Sequence, residues 1–287
     1  MSHSTASTQP GRRAWFSGLN VGLILAVGSL LVALLAPVLA PGDPAAMGAA
    51  ELRLSPPSTS HVLGTDLLGR DVLMRLIHGA RVSLLVGWVS VLAAIFCGTI
   101  VGMAAGLGPR WLDRLLMFVT DLFMAFPRIF LVLLLVSLTT QSLLLIMLVL
   151  GLTGWMGVAR LVRAETLSLR ERDFVAAAQG FGLSPWRVAW GHILPSLWPT
   201  IIVAATLRVG GAILAESFLS YLGLGAQEPT VSWGSMIQMG RSNLVDGWWL
   251  ATFPGLALAL TVIGYNLLGD SLRQRLNPYH QAGQNDD

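Results

Sequence analysis

Six apolar runs, each long enough to cross a lipid bilayer, constrain this chain more than anything else in it. They cover Leu19–Ala40, Val82–Leu107, Leu115–Leu138, Ser142–Val162, Leu197–Leu222 and Trp249–Leu268. A helix needs roughly 20 apolar residues to span the hydrocarbon core. Composition agrees, with 54% hydrophobic and only 11% charged residues, where an ordinary soluble domain carries about 25% charged residues. The chain therefore reads as an all-α polytopic membrane protein with six transmembrane helices.

The boundaries follow from the polar stretches. Residues 1–18 form a tail, 19–40 the first span, and 41–81 a Pro-, Ser- and Asp-rich excursion; 82–271 hold the remaining spans and a patterned loop at 168–195, and 272–287 a second tail. Val38-Leu39-Ala40 resembles a signal-peptide cleavage site, but signal h-regions run only about 7–15 residues, so the first run is read as a retained span. The third run is interrupted at Pro127-Arg128. Positive charge is retained on the cytoplasmic side, and a cytoplasmic N-terminus places Arg12, Arg13, Arg110, Arg114, Arg160, Arg163, Arg170, Arg172, Arg187, Arg273 and Arg275 inside. Arg53, Arg70, Arg75, Arg81 and Arg241 then lie outside. Both termini and the patterned loop are expected in the cytoplasm. Trp248 and Trp249 open the last span where interfacial aromatics sit.

Several chemistries are excluded. All 18 basic residues are arginine, so the chain has neither the lysine of a phosphate-binding GxxxxGK[ST] loop nor a Schiff-base lysine. Any ATP used must be hydrolysed on another subunit. His3, His61, His78, His192 and His280 are scattered without metal-ligand spacing, and Cys97 is alone, so no metal site or catalytic residue is assigned. The arginines cluster at helix ends rather than in a stripe, which argues against nucleic acid. Gly98, Gly102 and Gly106, spaced by four, allow another helix to approach closely.

In the first excursion, Asp66/Arg70 and Asp71/Arg75 are acid-before-base pairs at i, i+4, with Leu68, Val72 and Leu76 alongside. They predict a short helix lying on the membrane surface; Asp66 and Asp71 alone are too few for a metal. Charges fall inside the spans, among them Asp121, Arg128, Arg208 and Glu216. Such groups face protein or a watery path. Arg208 and Glu216, eight apart, are expected on roughly one helix face. Arg208, Glu216 and Asp121 are candidates for a translocation pathway, with charge pairing as the alternative.

The stretch DFVAAAQGFGLSPWRVAWGHILP, Asp173–Pro195, is too short to span and too patterned for a linker. Ser168 and Glu171 have capping-box spacing, which predicts a helix from near Leu169. Phe174, Ala177, Ala178 and Phe181 then make one apolar stripe at i, i+3, i+4, i+7. Gly180 and Gly182 end it, and Ser184-Pro185 restart a helix. Trp186, Ala189, Trp190 and Ile193 repeat the stripe, and Pro195 stops it at the membrane. Two such pieces suit docking in a partner's groove or lying on lipid headgroups.

Ala177-Ala178, Gly182 and Leu194-Pro195 resemble the EAA loop of ABC-importer permeases. The family's Glu falls on Ala176, leaving Glu171, Arg172 or Asp173 to compensate. The wording LGTD-x-x-GRD within 61–84, AILAESFLSYLGLG at 212–225, PTVSWG at 229–234 and NLLGDSLRQRLNP at 266–278 resembles the second, C-type permease subunit of the dipeptide, oligopeptide and nickel importers. The resemblance implies a type I ABC importer permease fold in the bacterial inner membrane. It implies a second permease subunit as heterodimer partner, two ATP-binding subunits that hold ATP and Mg, and an extracytoplasmic solute-binding protein. No cofactor is expected on this chain. It further implies that Glu171, Arg172, Asp173, Phe174, Ala177, Ala178, Gly182, Trp186, His192 and Pro195 belong to the coupling segment that docks on the ATPase. Di- or oligopeptides are the expected cargo, with nickel or another small solute as the alternative. From other classes, an ion-coupled secondary transporter would use Asp121 or Glu216, and an intramembrane hydrolase would need the missing constellation.

Overall fold

The longest helix organises the rest. The computed structural model describes residues 12–138 and 142–276. The outer parts of both tails, with His3, His280 and the end of the 266–278 motif, lie outside the described residues. Helix α1 covers Arg12–Leu39 and α2 covers Val72–Leu107. Next come α3 (Arg110–Met124) and α4 (Arg128–Ser137), bent by 79° at Pro127. Proline lacks the N–H that would continue the helix, and its ring crowds the carbonyl four residues back.

The fourth predicted span is two helices, α5 (Leu143–Leu152) and α6 (Trp155–Arg170), end to end across Thr153-Gly154. Two short helices follow, α7 (Asp173–Gly180) and α8 (Pro185–Val188). A π-helical turn over Ala189–Ile193 then leads into α9 (Leu194–Tyr221). Finally α10 (Trp233–Gly240) precedes α11 (Trp249–Leu276). Among the described residues five segments are long and apolar enough to cross a membrane, and there are six if the bent α3–α4 pair crosses as one broken span.

Helix α2 packs against α6, α9, α5 and α1, while α11 packs against α1 and α9. The α2–α6 contact depends on the glycine series. A Cβ on Gly98 would stand 2.5 Å from Val158 Cβ, one on Gly102 2.6 Å from the Ala159 carbonyl oxygen, and one on Gly106 2.7 Å from Thr166 Cγ2. Nothing larger fits, so the backbones meet as small-residue packing allows.

The expected surface helix at 66–76 does not form. Asp66 and Arg70 lie in a turn, Asp71 is the N-cap of α2, and Arg75 sits in its first turn. Asp71 accepts from Met74 N at 2.9 Å and pairs with His61 at 2.9 Å rather than with Arg75. Burial explains the difference, because Asp66, Arg70 and Arg75 are all buried. The helix-like spacing serves a folded cap, with the segment before α2 tied to the one before α10. Trp249 is likewise buried and donates from its indole to Thr65 O at 3.1 Å, so it anchors protein to protein. Trp248 stays exposed.

Candidate functional site

The segment between α6 and α9 has one face inside the bundle and one outside it. Val175, Ala178, Val188, Ala189 and Ile193 are buried with Met103 of α2, Val158, Val162 and Leu169 of α6, and Leu197 and Ile201 of α9. Phe174, Ala177 and Phe181 point away, Phe181 being 87% exposed. The expected single stripe of Phe174, Ala177, Ala178 and Phe181 is therefore divided. A two-turn helix offers the bundle only a narrow edge, and Val175 with Ala178, three apart, supplies it.

The start of α7 also differs from expectation. Ser168 lies within α6, Glu171 is its C-cap, and α7 begins at Asp173 after an extended Arg172 with no side-chain cap. The S-x-x-E spacing falls inside α6, which outlasts the apolar run because Val162, Thr166 and Leu169 keep one face buried. Glu171, Arg172 and Asp173 are all exposed. Gly182 closes α7 at φ +80°, and a Cβ there would meet nothing within 4 Å. Its conformation, not crowding, selects glycine. Ser184 then caps α8, with Pro185 in the first turn.

Trp186 and Trp190 meet in a tilted contact, 5.3 Å between centroids and 56° between planes. They wall an apolar groove of about 730 Å³ with Phe96 and Ile100 of α2, Leu112 of α3 and Trp198 of α9. The second stripe thus also divides, its tryptophans turned to the groove and Ala189 and Ile193 to the core. Pro195 does not stop the helix. It falls on the second residue of α9, where its missing N–H costs little, and the π turn before it carries the chain through. His192 lies in that turn, its Nδ1 buried and without a hydrogen-bond partner.

The charges in the spans fall into three settings. Glu216 is fully buried, which removes it from any pathway surface. Its carboxylate accepts from Ser220 Oγ at 2.7 Å, Ser217 Oγ at 3.4 Å and Ser83 Oγ at 3.5 Å. Ser220 in turn meets Ser232 Oγ at 3.3 Å, and Trp233 N donates to Ser83 Oγ at 3.1 Å. Asp121 is exposed and paired with Arg160 across α3 and α6. Arg208 donates to Gly154 O at 3.1 Å, and Arg128 donates to Leu150 O at 3.1 Å. Arg208 and Glu216 do not share a face, since eight residues at 3.6 per turn leave them about 80° apart.

At the cap, Arg70 meets Asp66 at 2.7 Å and Glu228 at 3.0 Å, while Arg75 meets Glu228 at 3.1 Å and Asp66 at 3.6 Å. Two cations and two anions close a neutral square. Sequence spacing suggested only the first of these contacts.

Residues 98–279 match the family described as binding-protein-dependent transport system inner membrane component. The chain belongs to that family. This permease is 40% identical to the dipeptide transport system permease protein DppC of Alkalihalophilus pseudofirmus over 90% of its own length and 84% of that protein's. It is 34% identical to the probable D,D-dipeptide transport system permease protein DdpC of Escherichia coli, over 97% of each chain. It is 42% identical to the oligopeptide transport system permease protein OppC of Haemophilus influenzae over 76% and 70%. Among solved structures, the inward-facing MetNI methionine ABC transporter shares the fold, with TM-score 0.57 and 18% identity over 71% of this chain and 97% of that one.

In the permease, three of the motifs that carried the resemblance meet in space. Ser83 from the 61–84 motif, Glu216 and Ser220 from 212–225, and Ser232 and Trp233 from 229–234 form one buried polar cluster. Their spacing in the chain gave no sign of this, because serines near a carboxylate have no period of their own.

Proposed function

We propose that this permease forms half of the translocation pathway of an importer for di- or oligopeptides in the bacterial cytoplasmic membrane. Both termini and the α7–α8 segment lie in the cytoplasm. It pairs with a second permease subunit, receives cargo from an extracytoplasmic solute-binding protein, and is driven by two separate ATP-binding subunits that hold ATP and Mg. The arginine-rich ends of α6 and α11, with Arg160, Arg163, Arg170, Arg273 and Arg275, support the orientation through the retention of positive charge inside.

The observation that carries the proposal is the two-faced α7. Its inner edge, Val175 and Ala178, is packed into the cluster shared by α2, α6 and α9, while Phe174, Ala177 and Phe181 remain outward. A partner that grips the outer face moves the inner edge, and close-packed interiors transmit such displacement rather than absorb it. The glycine-mediated contact of α2 with α6 makes those helices respond together. ATPase closure is thereby converted into rocking of the spans, with Gly182 as the turn between α7 and α8. Exposed Glu171, Arg172 and Asp173 supply the charged rim in place of the family's Glu at Ala176. Trp186 of α8 and Trp190 of the π turn face the apolar groove and hold the segment at the membrane interface, as amphipathic aromatics do. The peptide cargo rests on the names of the dipeptide and oligopeptide relatives.

Uptake of a labelled dipeptide into proteoliposomes holding the assembled transporter tests this reading. Uptake should require ATP hydrolysis and the binding protein. Uptake driven by a proton gradient without ATP would contradict it, and transport of nickel in place of peptides would overturn the cargo.

A further inference from the structure

Arg128 and Arg208 meet the α5–α6 break without a counter-charge. Arg208 stands near the midpoint of the 28-residue α9, and Arg128 opens α4. They converge on the break between α5 and α6. Arg208 Nη1 lies 3.1 Å from Gly154 O, and Arg128 Nη2 lies 3.3 Å from where a Cβ on Gly154 would stand. A Cβ on Gly157 would come within 2.6 Å of Arg208 Nη2, so small residues leave room for both guanidiniums. The two charges are near enough to repel each other. Among the described residues the ion pairs involve other arginines, and no carboxylate lies within pairing distance of these two.

A guanidinium carries five N–H donors, and the hydrogen bond each makes to a backbone carbonyl leaves most of them unused. Charges at this depth belong against protein or water, not lipid. Arg128 is exposed on this chain and Arg208 half-buried, so donors remain available beyond the contacts this chain itself supplies.

We propose that Arg128 and Arg208 form an anion-receiving step half-way along the path, taking the terminal carboxylate of a passing peptide. The carboxylate identity rests on the peptide reading above; the anion preference does not. Guanidinium and carboxylate match in geometry and charge. Because both arginines also serve the α5–α6 break, the anion is held by only part of each fork, and transport requires a site weak enough to leave.

Two measurements on the assembled transporter test this. Gly211 is exposed, one turn from Arg208, and a Cβ there meets nothing within 4 Å. In a Cys97→Ala background, Gly211→Cys should react roughly tenfold faster with an anionic than with a cationic methanethiosulfonate, given two nearby cations. Arg128→Gln and Arg208→Gln should abolish that preference, and Arg208→Lys should keep it. Equal rates with both reagents, or no reaction with either, would overturn the anion site.

The second measurement compares uptake of a dipeptide with that of its C-terminal amide, each normalised to its occupancy of the binding protein. The Gln variants should slow the free acid about tenfold, as expected for a lost charge-assisted hydrogen bond, and the amide less than twofold. An equal loss for both would assign the arginines to holding the helix break alone. A wild-type transporter that moves neither form would remove the peptide carboxylate as the ligand, leaving the reagent experiment to decide the anion site.

Discussion

Arg75 and Glu228 are 153 residues apart in the chain and 3.1 Å apart in the fold. Their contact, with Arg70 and Asp66, locks the start of α2 to the segment before α10. Breaking a buried pair leaves an uncompensated charge and costs about 3–5 kcal/mol. Asp66, buried beside both arginines, should show that cost: Asp66→Asn lowers stability by about 3 kcal/mol. Glu228, with a side chain 51% exposed, is screened by water, and Glu228→Gln should cost about 1 kcal/mol. Thermal unfolding of the purified permease in detergent checks the order. An equal effect of the two would mean the square does not act as described.

Glu216 makes a complementary case, because its partners are hydroxyls. Glu216→Gln retains an acceptor for Ser220 and should cost about 1 kcal/mol. Glu216→Ala leaves several buried hydroxyls to find new partners and opens a cavity, for about 3–4 kcal/mol. Melting temperatures of the two variants report this, and an alanine variant as stable as the parent would contradict the cluster's role.

The close contact of α2 with α6 predicts a third result. Gly102→Val drives a side chain into the Ala159 carbonyl, and overpacking costs about 1–3 kcal/mol. Gly28→Ala, where nothing lies within 4 Å, serves as the control and should leave the melting temperature unchanged or slightly raised. If Gly102→Val melts with the control, the helices are not held at backbone contact.

What the amino-acid order reveals here depends on whether the signal is periodic or contact-based. Apolar length announces every span, and Pro127 announces the bend between α3 and α4. Gly98, Gly102 and Gly106 announce a close helix contact but not its partner. The cap is different. Asp66 and Arg70 carry helix spacing but lie in a turn, because residues far along the chain hold this segment: Glu228 pairs with Arg70, and Trp249 donates to the carbonyl of the neighbouring Thr65. Tertiary burial outweighs an i, i+4 preference of about 0.5 kcal/mol at most. Likewise the apolar stripes of the segment between α6 and α9 are visible in sequence, but which edge the bundle takes is set by contacts with Met103, Val158, Leu169 and Leu197 on distant helices. The convergence of Arg128 and Arg208 on Gly154 joins three separate helices and has no sequence signature.

Gly182 gives a prediction about the turn itself. At φ +80°, Gly182→Val is strained by roughly 1–2 kcal/mol, whereas Gly182→Asn tolerates the left-handed conformation. The valine variant should insert normally in the membrane yet lose most ATPase binding and transport, and the asparagine variant should retain both. Normal transport by the valine variant would show that the α7–α8 turn does not govern coupling.

The most direct measurement is the affinity of the ATP-binding subunit for permeases altered only on the outer face of α7. Phe174→Ala with Phe181→Ala removes the aromatics of the outer face, 40% and 87% exposed. It should weaken ATPase binding by at least about tenfold, as central aromatic contacts do in interfaces, with an unchanged melting temperature. Trp186→Ala, on the groove side, should weaken it far less. Unaltered ATPase binding by the Phe174/Phe181 variant would contradict the assignment of α7 as the docking helix.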